Sequence, residues 1–340
     1  MAFPIPPPIE PMLAKLSKDF PRGEGWLYEP KWDGFRAIVY RDGDRIHIGS
    51  RNKLALERYF PELIPLFQKS MPAKSVVDGE IVIATDDGLD FDSLQLRLHP
   101  AASRVEMLAE QTPASFVAFD LLAIGETDLR RSPLVERREA LEQKMKKSKR
   151  VLITPQTASV KKAEQWFERF EGAGLDGIIA KSSDLQYVPG KRVMLKIKHT
   201  RTIDCVIGGF RTAGDGKSVG SLLLGLYEGK TLHYVGHTSS FRVKERIELL
   251  EKLKPLEGGP SFGQGRSPGG FSRWTGTRDT SWVSVKPKLV CEVAFDHMQG
   301  DRFRHGASFR RWRPDKSPKE CTYDQLTPPA PFSLEKIASL

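Results

Sequence analysis

The sequence predicts two domains of different class, a mixed α+β domain followed by a small all-β barrel. Three observations lead there. The chain has 340 residues, about two domains of ordinary size. Strands and helices alternate irregularly up to about residue 198, and beyond it short strands follow one another with a single helix among them. The charge shifts at the same point. Of 53 Lys and Arg against 43 Asp and Glu, residues 199–340 hold 22 basic and 15 acidic side chains, a positive excess of the kind that meets a polyanion.

In the first domain, residues 26–29 and 35–40 read as strands around a polar connection, with further strands at 76–84 and 116–124. Residues 53–69 and 134–149 show helical spacing, the second with Leu134, Arg138, Leu141 and Met145 on related faces. A third helix, 160–171, is stopped by Gly172 and Gly174, and strands at 177–181 and 193–198 close the domain. The second domain offers strands at 203–210, 221–227, 231–235 and 289–295, a turn at Glu228-Gly229-Lys230, and one helix at 244–253. Residues 257–275, rich in Gly, Ser and Pro, read as a long loop. An OB-type barrel fits this pattern, and such barrels commonly bind nucleic acid.

Composition removes several classes of function. Hydrophobic residues make up 39% and charged residues 28%, which argues against a disordered chain. No apolar run approaches the roughly 20 residues needed to span a bilayer. The Pro-rich opening, residues 1–10, lacks the layout of a secretory signal, so no membrane partner and a cytoplasmic location are expected. Cys205, Cys291 and Cys321 are isolated in sequence, which predicts reduced thiols rather than a disulfide framework or a cysteine zinc site.

Chemistry concentrates in Glu29-Pro30-Lys31-Trp32-Asp33-Gly34-Phe35-Arg36, where a lysine sits on a tight connection between two strands. Alone, the segment is an ordinary Asp-Gly hairpin. Downstream, however, come Ser50-Arg51-Asn52-Lys53, Asp78-Gly79-Glu80 inside an apolar strand, and Phe119-Asp120 inside another. Asp176-Gly177-Ile178-Ile179-Ala180-Lys181 and Leu195-Lys196-Ile197-Lys198 complete the first domain, and Arg313-Pro314-Asp315-Lys316 lies near the end of the second.

This ordered set resembles the covalent nucleotidyltransferase superfamily of DNA ligases, RNA ligases and capping enzymes. It is most similar to the small bacterial ATP-dependent DNA ligases of the LigC type, relatives of the ligase module of ligase D. The resemblance runs from Pro11-Met12-Leu13-Ala14 to Thr322-Tyr323-Asp324-Gln325-Leu326. It implies a nucleotidyltransferase (adenylation) domain over residues 1–200 and an OB-fold domain over 201–340. The implied activity is ATP-dependent sealing of nicks in duplex DNA, in repair, through a lysine–AMP and then a 5′-adenylated DNA.

A primary amine attacks phosphorus only when deprotonated, and a cationic, partly desolvated pocket favours that. Lys31 suits the role of nucleophile, with Lys196, Lys198 and Arg36 as neighbours. Lys196 and Lys198 are two apart on a strand and share a face, placed to clamp the α-phosphate. By resemblance, Glu29 reads the adenine amino group, Phe119 stacks on the purine, and Arg51 and Arg192 contact phosphate, with Lys191 the alternative to Arg192. Glu80 lies near the ribose, and Glu80 and Asp176 are the expected ligands of Mg²⁺ or Mn²⁺. Relatives carry Glu where this chain has Asp176. Met194 stands where a Trp is usual.

Arg313, Asp315 and Lys316 are expected to orient the departing pyrophosphate, the barrel swinging about a hinge at 198–202. Expected partners are nicked duplex DNA and a repair polymerase or end-binding protein; a nucleoid-associated monomer is expected. An RNA ligase, a capping enzyme or a non-catalytic nucleic-acid-binding protein are the alternatives. The helical DNA-binding domain of large eukaryotic ligases is not expected.

Overall fold

The computed structural model describes residues 3–86, 88–199, 201–214, 216–259, 262–263, 268, 281–326 and 337. It divides into two compact units, residues 1–199 with 329–340 and residues 200–328.

The first unit is built on two sheets. Strands β1 (Leu13–Ser17), β2 (Trp26–Pro30), β3 (Phe35–Asp42), β4 (Arg45–Ser50) and β5 (Lys74–Val82) are joined by β6 (Ser115–Ile124), β7 (Val151–Ile153), β8 (Gly177–Ser182) and β9 (Arg192–Lys198). One sheet runs β1–β9–β8–β2 and the other β7–β6–β5–β3–β4, with a two-residue strand, Thr127–Asp128, beside β6. Among the described residues of this unit's sheets, only β1 with β9 and β7 with β6 pair in parallel. Strand β6 is apolar at almost every position and buried along nearly all of its length, as a strand covered on both faces must be. The helices are α1 (Ile64–Ser70), α2 (Phe91–Leu96), α3 (Ala102–Gln111), α4 (Leu134–Lys144) and α5 (Val160–Phe170). In α5, Ala163, Trp166 and Phe170 form the buried stripe, and Ser159 Oγ caps its start by accepting from Lys162 N–H. Gly174, at φ 76°, supplies the left-handed stop the sequence predicts.

Three expectations change here. Residues 53–69 are helical only from Ile64 to Ser70: Lys53 adopts a positive φ of 63°, and Pro61 opens a separate 3₁₀ turn. Helix α4 stops at Lys144 rather than 149. The two strands flanking Lys31 are not a hairpin, because β2 and β3 belong to different sheets. The segment between them crosses from one sheet to the other.

In the second unit β10 (Arg201–Thr212), β11 (Val219–Glu228), β12 (Thr231–Thr238), β13 (Val290–Phe295) and β14 (Ser308–Trp312) accompany helix α6 (Val243–Leu253). The sheet order is β12–β11–β10–β13–β14, with Val283–Ser284 beside β10. Gly229, at φ 58°, makes the predicted turn between β11 and β12. Strand β14 escaped sequence reading because polar and aromatic residues share it, and only its two aromatics are partly covered. No ladder closes the sheet into a barrel among the described residues. A single parallel bridge, Thr238 with Ala307, joins β12 to the residue before β14, supported by Phe309 N–H donating to Thr238 Oγ1 at 3.1 Å. Most of the predicted loop at 257–275, and Thr200 within the predicted hinge, lie outside the described residues.

Candidate active site

A cleft in the first unit is lined from both sheets. Across the first sheet, Ile179 of β8 pairs with Glu29 of β2 on one side and Lys196 of β9 on the other. The row therefore presents Glu29 and Lys196 on one face. Arg192 and Met194 follow on alternate positions of β9 and also line the cleft. In the second sheet Arg36 pairs with Glu80, and Phe119 sits at a bulge where Asp78 opposes Asp120 but Gly79 opposes Ala118. An extra residue in a strand re-aims its side chain; here the ring of Phe119 faces the cleft.

Lys31 is held by its own backbone. Its N–H donates to Gly177 O at 2.8 Å and its carbonyl accepts from Asp176 N–H at 3.1 Å. This pairing brings Lys31 Nζ to 2.6 Å from Asp176 Oδ2, and the same oxygen lies 2.7 Å from Lys198 Nζ. Asp176 is buried at 5% exposure. Glycine enables the approach on both sides. A Cβ on Gly34 would lie 2.2 Å from Ile81 O, and one on Gly177, at φ 132°, 2.0 Å from Ile197 O. Gly34 is thus needed for space rather than for a left-handed turn.

Glu29 and Lys181, both 3% exposed, form a buried pair at 2.7 Å, and Glu29 Oε1 accepts from Gln156 Nε2 at 2.7 Å. Carboxylate oxygens accept more than one hydrogen bond, so Glu29 keeps acceptor capacity toward the cleft. Lys181 Nζ lies 5.3 Å and the Arg36 guanidinium 4.4 Å from the Phe119 ring centroid, distances at which a cation is attracted to the ring. Arg36 is fixed by a two-point pair with Asp78, both contacts 2.6 Å. Tyr187 Oη donates to Asp78 at 2.6 Å and accepts from Met12 N–H at 3.1 Å. Burial pushes the Tyr187 phenol well above its ordinary value, with the Asp78 charge adding to it.

Two further groups have altered acidity. Burial lowers Lys196 from its usual range, and the charges of Lys198 and Lys31 lower it further. Burial pushes Glu80 up to about 7 against the opposing pull of Arg36 and Lys31. The Glu80 side chain has no hydrogen bond or ion pair among the described residues. A desolvated, open carboxylate suits a hard cation with retained waters. Asp176 fits that part less well, since one of its oxygens already serves two ammonium groups. No group of three or more His, Cys, Asp or Glu side chains among the described residues is arranged for a metal.

The cleft thus gathers Glu29, Lys31, Arg36, Arg51, Glu80, Phe119, Arg192 and Lys196, with Lys198 joined through Asp176. Arg51 lies on an exposed turn closed by Lys53 N–H to Ser50 O at 2.9 Å, and the exposed Arg192 donates to Ala14 O at 3.3 Å. Arg313, Asp315 and Lys316 belong to the second unit. Sequence reading placed Lys181 in a motif without a role and missed Gln156 and Tyr187. Lys181 carried a signal, two residues along the strand from Ile179; Gln156 carried none, because only the bridge between Tyr28 and Thr157 sets it beside Glu29.

A lysine bound to a buried carboxylate, beside an aromatic face and further cations, is the equipment of a covalent nucleotidyltransferase. The comparisons narrow that class. Residues 11–198 match the ATP dependent DNA ligase domain and residues 215–316 the ATP dependent DNA ligase C terminal region. The chain is 49% identical to DNA ligase C of Mycobacterium tuberculosis, over 99% of each chain. It is 31% identical to that organism's multifunctional non-homologous end joining DNA repair protein LigD, over 87% of this chain and 37% of LigD. Among solved structures a Lig E DNA ligase shares the fold, with a TM-score of 0.56, 18% identity, and coverage of 89% of this chain and 99% of that one. The chain belongs to the ATP-dependent DNA ligases. Its first unit is the nucleotidyltransferase domain and its second the OB-fold domain of that family. No helix among the described residues is long and apolar enough to cross a membrane.

Proposed function

We propose that Lys31 is the nucleophile of this ligase and that the cleft around it binds ATP. The contact between Lys31 Nζ and the buried Asp176 Oδ2, at 2.6 Å, carries the reading. Lys31 loses its proton toward Asp176 and attacks the α-phosphorus of ATP. The bond from that phosphorus to the bridging oxygen breaks, pyrophosphate leaves, and a lysine–AMP phosphoramidate remains. Lys196 and Lys198 hold the α-phosphate oxygens as charge builds on them. Phe119 stacks on the adenine, Glu29 accepts from its amino group, and Arg36, Arg51 and Arg192 serve the sugar–phosphate. Arg313, Asp315 and Lys316 align the pyrophosphate for in-line departure.

The 5′-phosphate at a nick then attacks the lysine–AMP phosphorus and releases Lys31. The 3′-hydroxyl attacks the activated 5′-phosphate, AMP departs, and the strand is joined. Mg²⁺ or Mn²⁺ held at Glu80 would neutralise phosphate charge. Likeness to the LigD repair protein supports a role in repair, with a repair polymerase or end-binding protein as partner and a nucleoid-associated monomer as the working form.

The test uses ATP labelled at the α-phosphate. Wild type should acquire label with ATP and not with GTP or NAD, and seal nicked duplex DNA. Lys31→Ala should do neither. Normal labelling of that variant would overturn the assignment.

A further inference from the structure

We propose that Asp204 is a positioning residue for the first step of the reaction, presenting Arg313 and Lys316 as a preset pair of phosphate donors. The inference rests on the assignment of Arg313, Asp315 and Lys316 to pyrophosphate.

Asp204 lies on β10 with its side chain 9% exposed. Both of its carboxylate oxygens accept from Arg313 Nη1 at 3.0 Å, and Oδ2 lies 3.0 Å from Lys316 Nζ. The main chain of Asp204 is itself pinned. Its N–H donates to Gln325 Oε1 at 3.2 Å, and its carbonyl accepts from Gln325 Nε2 at 3.1 Å. The other edge of Arg313 is held by Asp315, through Nε at 3.0 Å and Nη2 at 2.9 Å. Arginine and lysine side chains are long and lose much rotamer freedom when they bind a phosphate. Here that freedom is removed before any ligand arrives.

The pairing leaves donors to spare. A guanidinium has five N–H groups and an ammonium three. After the contacts to Asp204 and Asp315, Arg313 keeps an Nη2–H and Lys316 two N–H groups for an incoming anion. The charges also balance locally. Glu292 pairs with Asp204 across the strands and accepts from Arg311 at 2.7 Å. Asp204, Glu292 and Asp315 thus face Arg311, Arg313 and Lys316, so an approaching polyphosphate meets a neutral cluster with directed donors rather than a carboxylate surface. Neither the length of β10 nor its apolar pattern requires an aspartate at this position; the carboxylate answers to Arg313 and Lys316.

The experiment compares Asp204→Asn, Lys316→Ala and the double variant on two substrates, ATP with the protein alone and a nick that already carries the 5′-adenylate. Misplaced reacting groups cost up to about 100-fold. We expect Asp204→Asn to slow lysine adenylation about 10-fold or more at saturating ATP, with sealing of the adenylated nick unchanged. Lys316→Ala should behave alike, and the double variant should lose less than the product of the two single losses, since Asp204 acts in part through that lysine. If Lys316→Ala slows the first step while Asp204→Asn does not, the positioning role falls and the pyrophosphate assignment stands. Normal adenylation by Lys316→Ala overturns the assignment itself. Equal losses for Asp204→Asn on both substrates mean a structural aspartate, and strictly multiplicative losses in the double variant mean independent action; either overturns the proposal.

Discussion

The two units use one device for two purposes. In the first, Lys31 and Lys198 share a single oxygen of Asp176 at 2.6 and 2.7 Å. In the second, Arg313 and Lys316 share Asp204 at 3.0 Å. Both aspartates are buried, at 5% and 7% exposure. The difference lies in the partner. On the proposed assignment Lys31 surrenders a proton to react, and Asp176 touches the atom that would react. Arg313 cannot be deprotonated in a protein, and its acidity is weakened further by the hydrogen bond to Asp315. On the two proposals, therefore, one buried carboxylate takes part in the chemistry and the other braces its donors.

The largest effect should come from removing the participant's charge. Asp176→Asn keeps the shape and deletes the proton acceptor, and general acid–base groups contribute about 100- to 10,000-fold. Single-turnover labelling with ATP should fall by about 100-fold or more, well beyond the loss expected for Asp204→Asn. Should Asp176→Asn stay within about threefold of wild type, the two aspartates are alike and the comparison collapses.

A smaller loss should follow at the base-binding end. Phe119→Leu keeps an apolar side chain but removes the ring, and base stacking on an aromatic is worth about 1–3 kcal/mol. The KM for ATP should rise about 10-fold with kcat little changed. A fall in kcat with an unaltered KM would move Phe119 from binding to chemistry.

The smallest effect concerns stability. Glu80 titrates at about 7 in the fold against 4.5 for the ordinary group, with burial the main cause. The folded state therefore holds its proton more tightly than the unfolded chain, and stability falls as pH rises through that interval. Glu80→Gln avoids the cost of ionising there. Without nucleotide or metal, its melting temperature should exceed wild type by about 2 °C near pH 8 and match it near pH 5. An equal shift at both pH values would place the effect in packing rather than charge.

Much of the first unit's site was legible because its chemistry is written in short local elements. Lys31, Glu80 and the Lys196–Lys198 pair each sit in a distinctive string, and strand alternation places the side chains of the last three. What escaped depended on contacts between distant segments. Gln156 meets Glu29 and Tyr187 meets Asp78 only after the sheets assemble. Asp204 carries no local mark at all, since its meaning comes from Arg313. The crossing at Lys31 shares its Asp-Gly pair with hairpins, because that dipeptide serves both tight turns and tight packing. The helix drawn through 53–69 failed for a simpler reason: its apolar spacing was real, but Pro61 and Pro65 limit where a helix can begin.

The glycines beside Lys31 carry a consequence for variation in the gene. Every missense change at Gly34 or Gly177 adds at least a Cβ, and that atom would lie 2.2 or 2.0 Å from a backbone carbonyl oxygen, which no rotamer can relieve. Alanine, usually the mildest replacement, is as obstructed there as any residue. The backbone that carries Lys31 is thus closed to gradual drift at these two positions. A saturation library selected for nick sealing should recover glycine alone at both positions; survival of Gly34→Ala at full activity would show that the backbone can yield.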